Sequence, residues 1–224
     1  MPRYRRGFDV DAARRHLRRA DPALGQWMRR IGPISADPRW RKRFDVVDAL
    51  ARAILFQQLS GKAAATIVGR VEAVIDSTLL HAETLSRVDD DGIRACGVSG
   101  NKLKALRDLC AHAERGDIPD LRRMSVMHED DIIDALTAVR GIGRWTVEMM
   151  LMFRLGRPDV LPIDDLGIRK GAQRVDEADA MPAPKALLER GERWGPYRTY
   201  ASLYLWRIAD FDAGAKKPTP RSQE

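Results

Sequence analysis

At 224 residues, the chain is long enough for one large domain or two smaller lobes with a hydrophobic core. Hydrophobic residues make up 44% of it, but no run approaches the roughly 18 to 20 apolar residues that a membrane-spanning helix needs, so we predict no membrane association. Lysine and arginine outnumber aspartate and glutamate by 39 to 32, which favours a polyanionic partner without identifying one.

The N-terminal segment is basic but lacks the apolar stretch and the small-residue cleavage site of a secretory signal, so we predict a cytoplasmic protein. Asp9 is expected to cap a short helix that runs to Leu17. Asp21 is expected to cap a second helix that stops at Gly32 and Pro33. The arginines of these two helices fit a solvated face and a face against a polyanion equally well.

Apolar residues recur at helical spacing almost throughout, without a convincing alternating strand, which predicts an all-α fold. Residues 45–58 are expected to form an apolar helix and Ser60 to cap the next one, with Gln57 and Gln58 at the turn between them. The stretch SGKAAAT lacks the upstream glycine and the Ser or Thr after the lysine that a phosphate-binding loop requires.

The middle and the end of the chain carry turn signals. Residues 89–92 and 97–100 are predicted to form turns, the second one just before a helix over 101–112. Cys96 and Cys110 fit neither a disulfide framework nor a metal-site pattern, and we expect both to be small core residues. Residues 214–224 are rich in proline and charge and are predicted to be disordered.

Residues 130–156, DDIIDALTAVRGIGRWTVEMMLMFRLG, predict a helix, a tight glycine hairpin and a second helix that starts at Arg144. Glycines at a helix start let a ligand approach the backbone, and the unpaired N–H groups there can face an anion such as a phosphate. An ordinary tight turn between two helices explains the same spacing. The segment alone therefore leaves both interpretations open.

This segment resembles the helix-hairpin-helix motif of the HhH-GPD DNA glycosylase superfamily, which is named for its hairpin, a Gly/Pro-rich loop and a following aspartate. Other segments are similar to the superfamily in the same order: AILFQQLSGKAAA to its glutamine turn, GVSGNKLKAL to the stretch before the motif, and LPIDDLGIRKG to its aspartate loop. WGPYRTYASLYLWR is similar to the final helix of the alkyl-base branch, that of bacterial 3-methyladenine DNA glycosylase II. The resemblance covers about residues 20–212.

The resemblance implies a two-lobed helical fold with the active-site cleft between the lobes and without the β-rich N-terminal domain of the best known bacterial member. One lobe is expected over about 46–160, with the helix-hairpin-helix at 131–155. The other lobe is expected from 1–45 plus 161–213. A monomer is expected.

The resemblance also implies an enzyme that flips alkylated purines out of double-stranded DNA and releases them by hydrolysis. At the hairpin position where bifunctional relatives carry a lysine, this chain has Trp145, which cannot form a Schiff base with the sugar, so no lyase activity is expected. Two alternatives remain open. The protein could act on another class of damaged base, or it could be a non-catalytic DNA-binding module.

Site residues are carried over position by position. Asp165 is expected to be the catalytic carboxylate, with Asp164 as the fallback and as the expected cap of a helix that begins at Leu166. The predicted base pocket is aromatic and consists of Trp145, Trp206 and, less directly, Tyr204.

The DNA-contacting residues follow in the same way. Gln58 is expected to fill the gap left by the flipped base, with Leu59 beside it, while Gln57 bonds to the backbone. The expected phosphate contacts of the hairpin are Gly141, Ile142, Gly143, Arg144 and Thr146. No cofactor is required, although main-chain carbonyls of Thr137, Val139 and Ile142 are expected to hold Na⁺ or K⁺.

Overall fold

A computed structural model describes residues 4–212 of the chain. These residues form helices without a β-strand, which confirms the all-α prediction. In this part of the chain, no helix is both long enough and apolar enough to cross a membrane. The predicted disordered tail, 214–224, lies outside the described residues.

Thirteen α-helices follow one another along the described residues, most of them joined by short turns. In chain order they are α1 (Val10–Ala20), α2 (Pro22–Ile31), α3 (Val46–Phe56), α4 (Gly61–Ile75), α5 (Ala82–Leu85), α6 (Asp90–Ala95), α7 (Gly100–Glu114), α8 (Leu121–Met124), α9 (Glu129–Thr137), α10 (Arg144–Met150), α11 (Leu166–Val175), α12 (Pro184–Gly191) and α13 (Arg198–Ala209). A π-helical turn, Leu151–Leu155, extends α10, and 3₁₀ turns lie at Pro38–Arg41 and Glu192–Trp194.

The predicted helix starts are confirmed by the capping geometry. The side chains of Asp9, Asp21, Asp45 and Ser60 each accept a hydrogen bond from a backbone N–H in the first turn of the helix that follows. The predicted turn at residues 89–92 is wrong, because Asp89 caps α6 by accepting the Gly92 N–H at 2.8 Å. The chain therefore continues as a short helix where the aspartates and glycine suggested a turn.

The described residues divide into two compact units. The first comprises Asp37–Arg157 with the described residues before Phe8, and the second comprises Phe8–Ala36 with the described residues from Pro158 onward. These boundaries differ from the predicted ones, 46–160 and 1–45 plus 161–213.

Hydrogen bonds explain the difference in boundaries. The Trp40 indole donates to the Met152 carbonyl at 2.8 Å, and Arg6 donates to the Arg154 carbonyl at 2.7 Å, so both segments belong with the first unit. At the other boundary, the Val160 N–H donates to the Thr199 hydroxyl at 3.0 Å. The residues just after Arg157 are therefore tied to the second unit.

In the first unit, α7 packs against α3, α5 and α6, and α9 packs against α10. The apolar side chains of these helices are buried, including Leu50, Ile54, Leu103, Leu106, Ile132, Leu136 and Val147. Cys96 and Cys110 are buried free thiols, as predicted. α7 thus packs against three other helices of the unit. Two of its polar side chains also bond to the end of α3 and to the loop that follows α9.

In the second unit, α11 packs along α13, and α1 packs against α2. Gly171 makes the first contact possible, because a side chain there would collide with the backbone of Leu205. The core of this unit contains three large and fully buried aromatic side chains, Trp194, Tyr200 and Tyr204.

Asp21 is a buried carboxylate that joins three parts of the second unit. It caps α2 and also accepts hydrogen bonds from Arg190 at 2.7 Å and from the Trp194 indole at 2.8 Å. Burial alone would raise the pKa of Asp21, but the hydrogen bonds from the Leu24 N–H, Trp194 and Arg190 outweigh burial and hold the pKa below its ordinary value. The carboxylate therefore stabilises the unit at neutral pH, and this contribution is lost as the pH falls through the folded-state pKa.

Candidate functional site

The predicted helix-hairpin-helix is present in the first unit, with α9 and α10 joined by residues 138–143, which we call the hairpin. Gly141 has φ of +79°, and a Cβ added to it would lie 3.2 Å from the Cβ of Ala105 on α7. This position therefore requires glycine for both its conformation and its close packing. Gly143 is different, since its φ is −93° and an added Cβ would meet nothing within 4 Å.

The hairpin presents backbone rather than apolar side chains to its surroundings. Gly141 and Gly143 are exposed, whereas the Ile142 side chain is buried and anchors the loop. The Arg144 guanidinium lies 3.1 Å from Glu148 and 3.4 Å from Asp130. Its charge is therefore partly balanced within the protein, so the backbone of the two glycines fits the predicted phosphate contact better than this side chain does.

Residues 56–59, which we call the Gln turn, join α3 to α4. Gln57 has φ −55° and ψ 135° and Gln58 has φ +57°, as in a type II turn, whose third position usually holds glycine. The Gln57 side chain donates to the Gly141 carbonyl at 2.8 Å, which confirms that it bonds to the backbone. Gln58 and Leu59 are exposed.

Asp165 lies at the start of α11 in the second unit and is held by two N–H donors. Its Oδ1 accepts the Ile168 backbone N–H at 2.9 Å and the Trp206 indole N–H at 2.8 Å. The expectation that Asp164 caps this helix is wrong. The helix begins at Leu166, so the cap position falls on Asp165, and Asp164 is exposed.

The contact between Asp165 and Trp206 depends on Gly167 in the first turn of α11. A Cβ added to Gly167 would lie 2.8 Å from Cδ1 of Trp206 and 3.2 Å from Oδ1 of Asp165. Any side chain at this position would therefore push the indole away from the carboxylate. Gly167 was not among the residues predicted from the sequence, although a glycine in the first turn of a helix, two residues after a candidate carboxylate, is a visible signal.

The other predicted pocket aromatics differ in exposure. Trp145, on α10 of the first unit, is 52% exposed, so much of its indole surface is accessible. Tyr204 is fully buried in the core of the second unit, and its hydroxyl donates to the Gly32 carbonyl at 2.9 Å. Its ring has no accessible face on which a base could stack. Tyr204 therefore does not fit the predicted pocket role, because it lies on the side of α13 that faces the core.

A family profile described as "HhH-GPD superfamily base excision DNA repair protein" matches residues 51–196, which include the Gln turn, the hairpin and Asp165. The chain belongs to the HhH-GPD superfamily. This HhH-GPD protein is 31% identical over 207 residues to DNA-3-methyladenine glycosylase 1 of Schizosaccharomyces pombe, an alignment that covers 92% of this chain and 90% of that one.

Two solved structures share the HhH-GPD fold over most of the chain. A DNA-3-methyladenine glycosidase from Bacillus halodurans has a TM-score of 0.81 and 36% identity, covering 90% of this chain and 91% of the other. The 3-methyladenine DNA glycosylase Mag1 of Schizosaccharomyces pombe, in complex with abasic DNA, has a TM-score of 0.77 and 32% identity, covering 92% and 100%.

Proposed function

We propose that this HhH-GPD protein is a DNA glycosylase that releases alkylated purines from double-stranded DNA, acting as a monomer without strand cleavage. The proposal rests on the Asp165 carboxylate, which two N–H donors hold in a fixed orientation beside the Trp206 indole. The names of the similar proteins described above support alkylated bases as the substrate class. The abasic DNA bound to the Schizosaccharomyces pombe enzyme is the product expected of such a reaction.

The chemistry follows from the charge that develops on the sugar. The bond from C1′ to the base nitrogen breaks, its electron pair leaves with the base, and positive charge accumulates on the sugar before water adds at C1′ and loses a proton. A preorganised carboxylate stabilises that charge. Asp165 supplies the carboxylate, and an aromatic face such as that of Trp206 suits the electron-poor ring of an alkylated purine.

The direct test is release of free base from duplex DNA that contains 3-methyladenine or 7-methylguanine, measured by chromatography together with the abasic sites left behind. Hydrolysis should yield both products in equal amounts. Trapping with borohydride should give no covalent complex, because Trp145 offers no amine to the sugar. Base release only from oxidised or mismatched duplexes would assign another substrate class, and binding without release would favour a non-catalytic module.

Binding to undamaged duplex is predicted to depend steeply on salt, because the hairpin and nearby basic side chains replace counterions at several phosphates. The slope of log K against log salt concentration should be about −0.9 times the number of phosphates contacted. Gly143→Leu should weaken binding to lesion-containing and undamaged duplexes equally, since phosphate contacts carry no base information. Fluorescence anisotropy titrations measure both effects.

Gly69→Leu is the matched control for the previous prediction, because an added Cβ at Gly69 on α4 also meets nothing within 4 Å. It should bind DNA like the wild-type protein. A flat salt response, or an effect of Gly143→Leu on lesion DNA alone, would contradict the proposed phosphate contact.

The proposal extends to a monovalent cation at the hairpin, with the carbonyls of Thr137, Val139 and Ile142 as ligands. Carbonyl oxygens suit a hard ion such as Na⁺ or K⁺. The Val139 carbonyl accepts the Ile142 N–H at 3.1 Å, which uses one of its two lone pairs. Comparing DNA affinity in potassium chloride with that in tetramethylammonium chloride at equal ionic strength would test this ligand set.

Gln58→Gly is predicted to stabilise the protein while slowing base release. Glycine relieves the left-handed strain at φ +57°, and after the entropy cost in the unfolded chain the net gain should be up to about 1 kcal/mol. The same change removes the side chain proposed to fill the gap in the base stack. Thermal melting and single-turnover excision measure the two effects.

Gln58→Ala separates strain from side-chain loss, because alanine keeps the strained conformation. It should excise as slowly as Gln58→Gly but melt at a lower temperature. Wild-type excision by both variants would remove Gln58 from the proposed DNA contacts.

A further inference from the structure

The end of α3, directly before the Gln turn, and the hairpin are both bonded to α7 through polar side chains that were not among the residues predicted from the sequence. We infer that Lys102 and Asp108 are positioning residues, which act through these two loops to hold them in the arrangement needed for DNA binding and base flipping. The inference rests on the proposed function, because it concerns how the proposed DNA contacts are kept in place.

Lys102 of α7 contacts the end of α3, directly before the Gln turn. Its ammonium group donates to the Leu55 carbonyl at 2.7 Å. Leu55 lies in the last turn of α3, where carbonyls have no partner within the helix and the helix dipole favours a cation. The bond therefore fixes the end of α3 directly before Gln58, whose left-handed backbone needs support from its surroundings.

Asp108 supports the hairpin in a similar way. Its Oδ2 accepts the Arg140 backbone N–H at 2.7 Å. Ala105, one turn earlier on α7, packs beneath Gly141. Lys102, Ala105 and Asp108 follow one another at intervals of three residues, so they lie along one side of the helix. One side of α7 thus contacts the hairpin and the end of α3 that leads into the Gln turn.

A third hydrogen bond joins the loops directly, from the Gln57 side chain to the Gly141 carbonyl at 2.8 Å. α7 is therefore bonded to the end of α3 and to the hairpin, and the Gln turn that follows α3 is bonded to the hairpin. Small misplacements of groups that orient a substrate are costly to the rate. This is the physical reason for holding the two loops both to α7 or its neighbour α3 and to each other.

The charge on Asp108 distinguishes a positioning role from a direct one. A carboxylate beside a loop that contacts phosphates repels DNA, so Asp108 is useful as a hydrogen-bond acceptor and unfavourable as a charge. Asparagine keeps the acceptor and removes the charge. Asp108→Asn should therefore bind DNA at least as tightly as the wild-type protein.

The Asp108 experiment measures affinity for an undamaged duplex. Asp108→Ala should weaken binding about threefold to tenfold, the usual effect of losing one hydrogen bond, while the single-turnover rate with saturating enzyme stays unchanged. Glu114→Ala removes an exposed carboxylate from the same helix and leaves the bond from Arg140 to Asp108 in place. It should not weaken binding.

The Lys102 experiment measures single-turnover excision of an alkylated base. Lys102→Met should slow it about threefold to tenfold with little change in affinity for undamaged duplex, and Lys102→Arg should recover most of the rate because it keeps a donor. Lys104→Met is the control, since Lys104 is an exposed lysine two residues further along α7.

Amide hydrogen exchange of the wild-type protein supplies a measurement that does not depend on any variant. The Arg140 N–H should exchange slowly, and exchange at the rate of an open loop would overturn the role of Asp108. If wild-type protein releases alkylated bases but Asp108→Ala binds and Lys102→Met excises at wild-type levels, the inference is wrong. Absence of base release by the wild-type protein would instead overturn the proposed function.

Discussion

Replacing Asp165 by asparagine is expected to reduce the rate of base release by at least 10² to 10³, the order found when one preorganised stabilising group is lost from an active site. The fold should survive, because the Oδ1 of asparagine can still accept the Ile168 and Trp206 N–H groups. DNA affinity should stay the same or increase, since the substitution removes a negative charge that repels the flanking phosphates. Single-turnover excision with saturating enzyme separates the chemical step from binding.

Asp164→Asn is the matched control for this prediction. Asp164 is exposed, while its neighbour Asp165 caps α11, so Asp164→Asn should change neither the melting temperature nor the excision rate. Asp165→Ala, by contrast, should also lose about 1 kcal/mol of stability with the cap. A dead Asp164→Asn protein beside an active Asp165→Asn protein would contradict the assignment of the carboxylate.

Trp206→Ala is expected to have the second largest effect, because it removes both an aromatic face and the indole N–H bonded to Asp165. Stacking of a base on an aromatic ring contributes on the order of 1 to 3 kcal/mol, or about fivefold to 150-fold in rate. Trp206→Phe keeps a ring but loses the hydrogen bond, so its rate should fall between those of the wild-type and alanine proteins. Two quantities are measured for each variant: the single-turnover rate of excision of an alkylated base and the affinity for undamaged DNA.

Trp27→Phe is a suitable control for Trp206, because Trp27 is a partly buried tryptophan of the same unit that packs against the same core. It should excise like the wild type. If Trp206→Ala unfolds while Trp206→Phe is stable and fully active, Trp206 is a core residue and the proposed stacking is wrong.

Local signals predicted most of the helices correctly. Capping by Asp9, Asp21 and Asp45 depends only on the residue and the next three positions, so it is visible in the sequence. The segment at 89–92 was mispredicted although Asp89 caps α6 locally, and a distant residue contributes further bonds there. Arg107 of α7 donates to Asp90 and to the carbonyls of the residues before α6, a contact between elements that periodicity does not contain.

The candidate site was predictable in its identity but not in its geometry. Resemblance selected Asp165 and Trp206, yet the hydrogen bond between them spans 41 positions and depends on the missing side chain of Gly167. Tyr204 was misassigned because only packing decides which side of α13 faces the core. Lys102 and Asp108 resemble ordinary surface charges in the sequence, and only the positions of Leu55 and Arg140 reveal what they bind.

The second unit draws its helices from two segments that lie far apart in the sequence, which sets an order for its assembly on the ribosome. The hydroxyls of Tyr200 and Tyr204 on α13 donate to carbonyls 166 and 172 positions earlier, and α13 packs against both α1 and α2, so these two helices are synthesised long before their partner. The first unit, drawn mostly from one continuous stretch, can fold in the meantime. The apolar faces of α1 and α2 therefore lack their partner until α13 has been synthesised, which makes them surfaces that a nascent-chain chaperone would meet.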